Sequence, residues 1–126
     1  MTIERNGAHT LPIAGLAIDF WKLLRVAERL AEGLPEERRR RAEAQLRFSS
    51  GRLESHLQQL NASLVTFQGQ RFGAELPAVA VNADDFASSS ELFIESAVEP
   101  AVIVDGKVVQ NARVMLREGN DDVPRD

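Results

Sequence analysis

The sequence predicts an α+β protein: long N-terminal helices, forming a helical hairpin or coiled coil, followed by a small antiparallel β-domain. Three observations carry this. Leu46, Leu53, Leu60 and Phe67 recur every seven residues, the repeat of a helix with an apolar seam. Beyond Pro77 the apolar residues change to the shorter period of strands. Asp105-Gly106 sits between Val102-Ile103-Val104 and Lys107-Val108-Val109, and such a pair between β-branched runs marks a two-residue hairpin turn.

Residues 1–15 contain Asn6, Gly7, Pro12 and Gly15 without clear periodicity and are expected to form a flexible arm, free or partly docked. The helical or coiled-coil region then covers 16–68. Leu16, Phe20, Leu23, Leu24, Ala27, Leu30, Ala31 and Leu34 fall on one helical face. Gly33 is a stop, and Pro35 opens the next helix, where its missing N–H costs nothing. Glu36 and Glu37 in the first turn complement the helix dipole.

The second helix is predicted from Pro35 to about Val65, roughly 45 Å at 1.5 Å per residue. Its expected packing or dimer seam is Leu46, Leu53, Leu57, Leu60 and Leu64. Glu43 and Ser50 interrupt that seam, and Gly51 weakens the helix by roughly 1 kcal/mol relative to alanine. The pattern allows the seam to pack on 16–34 of the same chain or on a second copy.

Residues 68–77 break the helix through Gly69, Gly73 and Pro77. The β-domain is expected over 69–119, with strands at Ala78–Asn82, Leu92–Val98, the Asp105-Gly106 hairpin and Val114–Leu116. Pro100 interrupts pairing, and 120–126 is a polar tail.

The 126 residues contain no cysteine, which excludes disulfide scaffolds, thiol nucleophiles and cysteine-based metal sites. No apolar run approaches a membrane span, and the N-terminus lacks the pattern of a signal peptide. The expected location is cytoplasmic. The net charge of −4 is uneven: residues 1–72 carry 11 basic and 8 acidic side chains, whereas 73–126 carry 4 and 11. The acidic second half repels phosphates and either suits a basic protein surface or serves solubility alone.

Catalytic chemistry has no foundation here. His9 and His56 lie far apart in sequence, and no zinc-protease, nucleophile-elbow or phosphate-loop motif is present. Asp84-Asp85 reads as a solvated acidic pair. Arg38 to Arg41 point around most of a helix circumference beside Glu36, Glu37 and Glu43, with no interleaved aromatics to stack on bases. No cofactor, metal, nucleic acid or membrane is therefore expected. Asn61-Ala62-Ser63 matches a glycosylation sequon but falls on the expected helix.

The stretch from Phe93 to Leu116, FIESAVEPAVIVDGKVVQNARVML, resembles the β-domain of the GrpE family, the nucleotide exchange factors of Hsp70-type chaperones. The shared rhythm is an apolar strand, a short polar turn, an apolar pair, then Ala112-Arg113-Val114 before a last apolar strand. Gly73 to Val81 is similar to that family's entry into its β-domain, and the resemblance covers about residues 46–117. It implies a non-enzymatic homodimer whose helices pair and whose β-domain wedges open an Hsp70-type ATPase. The alternative is a structural adaptor or assembly subunit, oligomerising through its helix and docking a partner through its β-domain.

Overall fold

The computed structural model describes residues 2–88 and 90–119, with side chains from Leu11 onward. The architecture is α+β with the helices first: α1 (Thr2–Glu32), α2 (Glu36–Gln59), then six strands, β1 (Ala62–Val65), β2 (Ala78–Ala80), β3 (Leu92–Glu99), β4 (Ala101–Val104), β5 (Lys107–Gln110) and β6 (Ala112–Glu118). A single 3-10 turn, Ala83–Asp85, follows β2. The strands form two three-stranded sheets, ordered β1-β4-β5 and β2-β6-β3.

The chain divides into two compact units. One comprises the residues up to Ser63 with Val104–Gly106; the other comprises Leu64–Ile103 and the chain from Lys107.

In the helical unit, α1 packs on α2. The segment read as an arm is helical from Thr2, with Pro12 inside the helix. Proline there removes one ladder bond, and local propensity alone predicts a break. Packing overrides it: Ala14, Ala17 and Ile18 are buried to 2%, 5% and 6% exposure, and burial of one face supplies most of a helix's stability. Gly33 and Leu34 donate to the carbonyls of Leu30 and Ala31 as α1 ends. Pro35 then stands at the N-cap of α2, with Glu36 and Glu37 in its first turn, as the sequence indicates.

The second helix stops at Gln59, six residues short of the expected end. The amides of Leu60 and Asn61 donate to Leu57 and Gln58, tightening the last turn. Asn61 adopts φ 55°, the left-handed conformation that asparagine tolerates better than most residues. The β-prone Ala62–Val65 then continues as β1. The sequon therefore lies at a helix end and strand start, not within the helix. The Asn61 amide group donates to the Asp105 carboxylate at 2.6 Å, and the Asp105 N–H donates back to the Asn61 carbonyl at 2.9 Å.

The hairpin signal is borne out. Asp105 and Gly106 take φ 53° and 79° between β4 and β5, the two positive values that a tight hairpin turn requires. Pro100 separates β3 from β4 and is fully buried.

The β unit is not purely antiparallel. β3 pairs antiparallel with β6, Ile94 opposite Leu116, whereas β2 pairs parallel with β6, Val79 opposite Arg113. Register shifts interrupt β3 between Ile94 and Ser96 and between Ala97 and Glu99; such bulges add twist to a strand. The core of this unit is Ile94, Ala101, Ala112, Val114 and Leu116, with Phe67, Phe72, Leu76, Phe86 and Leu92 packed around it. Residues 69–72 cover the outer edge of β3: Gly69 and Phe72 donate to Ile94 and Leu92, and Ile94 donates to Gln70. That pairing blunts an edge open to unwanted strand addition.

Candidate functional site

Two surfaces stand out, one in each unit. In the helical unit the five seam leucines separate. Leu53 and Leu57 are buried to 9% and 4% exposure, and Leu46 is half-buried, all on α2. Leu60 caps the helix and is 46% exposed, while Leu64 belongs to β1. A seven-residue count continued past the true helix end thus linked residues that do not share a helix. His56 is exposed on α2, and the side chain of His9 lies outside the described residues.

The apolar residues of α1 do not form one face. Ala14, Ala17, Leu24 and Ala31 are buried, with Trp21 and Glu28 half-buried in the same 3-4-3-4-3 spacing. This is the face that meets α2, and its small residues favour close approach of the two helices. Leu16, Leu23 and Leu30 instead stand 71%, 68% and 71% exposed, with Phe20 at 38% between them. The sequence places all of these within one broad stripe, because two seams offset by a single position overlap in a simple periodicity.

The charged groups of this unit form local pairs. Arg25 bridges to Glu28 at 3.2 Å and lies over Trp21 at 5.0 Å from the ring centroid. Within the arginine run, Arg41 reaches Glu37 at 3.7 Å and Arg39 reaches Glu43 at 4.0 Å. These exposed pairs contribute at most about 1 kcal/mol each. They split the run into differently directed groups, as the helix geometry predicts.

In the β unit, Val79, Val108, Val109, Gln110, Asn111 and Arg113 line an open groove of about 420 Å³. Its valines are unusually bare for β-branched residues, with Val79 52% and Val108 45% exposed. Three valines beside two side-chain amides and one guanidinium make a surface of mixed polarity that suits docking of a protein side chain or extended segment. Sequence reading missed this groove, because Val79 and Val108 look like ordinary core alternation until the strands are paired.

Asn82 is a second residue the sequence did not single out. Its side chain donates to the Leu116 carbonyl at 3.1 Å and accepts from the Leu116 N–H at 2.8 Å. It therefore continues the pairing of β6 after β2 has ended. Asp84 and Asp85 lie exposed in the 3-10 turn beyond it.

Among the described residues no group of three or more histidines and carboxylates is placed to hold a metal ion. No described helix is long and apolar enough to cross a membrane. Comparison with known proteins gave no matching family model, curated protein or solved structure.

Proposed function

We propose that this chain is a non-enzymatic interaction protein that acts as a GrpE-like nucleotide exchange co-factor of an Hsp70-type ATPase in the cytoplasm. The observation that carries the reading is the order of parts. A helical hairpin precedes a β unit, and the stretch from Phe93 to Leu116 that resembles the exchange-factor β-domain supplies β3 to β6.

On this reading the chemistry belongs to the partner. The β unit binds the open state of the ATPase more tightly than the closed state, and only that difference in affinity shifts the partner towards nucleotide release. A tenfold shift needs about 1.4 kcal/mol of differential binding. The groove lined by Val79, Val108 and Arg113 is the candidate docking surface.

The test is release of a fluorescent nucleotide from a purified Hsp70-type ATPase of the same source, with and without the full chain. The expected result is at least about tenfold faster release, diminished by Val79→Asp combined with Val108→Asp. Unchanged release from every such ATPase of the source would remove this reading. The exposed apolar surface in each unit also supports the second reading, a structural adaptor or assembly subunit. Recovery of one defined assembly with the tagged protein, insensitive to ATP, would favour it.

A further inference from the structure

We infer that the outer edge of β5 accepts an extended, carboxylate-bearing segment of a partner protein as an added β-strand, with side chains of that segment entering the groove beside Val79 and Arg113. The inference rests on the docking-surface reading of that groove and not on exchange activity. The residues that form the edge and the groove belong to the second unit.

Backbone hydrogen bonds place the open edge. The Ala112 N–H donates to the Pro77 carbonyl, and the Val81 N–H donates to the Val114 carbonyl. Ala112 and Val114 therefore turn their backbone groups towards β2. Every second residue of a strand repeats that direction, which points Gln110 and Val108 the same way. The tight turn at Asp105-Gly106 agrees, since it sets Lys107 inward and turns the next residue, Val108, outward. β2 begins level with Ala112, and β5 stands last in its sheet. The N–H and C=O groups of Val108 and Gln110 thus form an open ladder, which an extended segment can complete.

Two other edges in this unit are closed by the chain itself. Residues 69–72 cover β3, and β2 covers β6. β5 instead presents Val108 at 45% exposure, beside Val79 at 52%. Exposed edges are commonly guarded by charge, proline or a bulge. β5 reads Lys107-Val-Val-Gln110, with one charge and no proline.

Charge selects the segment. The half from residue 73 carries 4 basic and 11 acidic side chains. The groove is a local exception: Arg113 lines it with no acidic residue, and Lys107 stands exposed on β5. Glu99 is level with Arg113 but on β3, across β6 from this edge. The Asp105 carboxylate accepts from Asn61. A segment with a carboxylate among β-branched residues meets positive charge at the groove and apolar surface along the strand.

The test uses the full chain and a short fluorescein-labelled peptide of alternating valine and threonine with one central glutamate. Saturable binding by anisotropy is expected at micromolar chain, with slower hydrogen exchange at the Val108 and Gln110 amides in the complex. Methylating one alternating set of the peptide's backbone nitrogens should weaken binding at least about tenfold. Methylating the other set should not, because an added strand pairs along one edge only. Val108→Pro should also weaken binding at least about tenfold and leave melting near that of the wild-type chain, since proline is tolerated where the N–H faces off the sheet. Lys107→Glu combined with Arg113→Glu should transfer the preference to a peptide with lysine in place of glutamate. Absence of binding overturns the inference. Equal effects of the two methylated sets also overturn it, by assigning the affinity to side chains alone. So do Val108 and Gln110 amides already slow to exchange in the free chain, which would give the edge another occupant, such as a second copy. If Val108→Pro does not fold, the methylated peptides decide. No ATPase enters this measurement, so failure of the exchange assay leaves it unaffected.

Discussion

Leu57 and Leu60 look alike in the sequence, two leucines three positions apart near the end of one helix, yet the structure gives them different energies. Leu57 is 4% exposed on α2, whereas Leu60 is 46% exposed at the helix cap. Replacing Leu57 by alanine removes buried carbon and leaves a cavity that the hairpin closes only partly, at a cost of about 2–4 kcal/mol. Leu60→Ala removes a side chain already half in water and should cost below about 1 kcal/mol. In a unit of this size each kcal/mol lowers the melting temperature by about 4–8 °C. Leu57→Ala should therefore melt at least about 8 °C below the wild-type chain, and Leu60→Ala within a few degrees of it. The assay is thermal melting followed at 222 nm, paired with urea unfolding to check that the denaturant slope is unchanged. Equal losses from the two substitutions would refute the reasoning, since they would restore Leu60 to the apolar seam.

Two further predictions address single side chains that close gaps in the backbone network. Asn82→Ala should destabilise the β unit by about 1–3 kcal/mol, because it strips the Leu116 N–H and carbonyl of their side-chain partner. Hydrogen exchange at the Leu116 amide should accelerate with it, and an unchanged exchange rate would count against that role. Asn61→Ala should cost about 1–2 kcal/mol through strain at φ 55° and loss of the 2.6 Å bond to Asp105. Asn61→Gly should recover part of that loss, since glycine takes positive φ without a Cβ penalty. Equal melting of the two variants would show that backbone strain contributes nothing.

The sequence by itself determined the features that depend on near neighbours. Asp105-Gly106 specified its hairpin, because few residue pairs accept two positive φ values in succession. Pro35 with Glu36 and Glu37 marked where α2 begins, and the apolar period distinguished the helical half from the stranded half. Only the tertiary structure decided which surface each apolar residue meets. Ala14, Ala17 and Ile18 hold α1 helical through Pro12 because they are buried, a gain that no local propensity records. The left-handed turn at Asn61 ended the seam, so Leu60 and Leu64 left the helix face on which a heptad count had placed them. β2 pairs parallel to β6, a partnership between segments more than thirty residues apart, and that non-local pairing leaves Val79 exposed in the groove. A heptad states that an apolar face exists; whether it lies against α2, against a second copy or against water is set by the packing of the remaining chain.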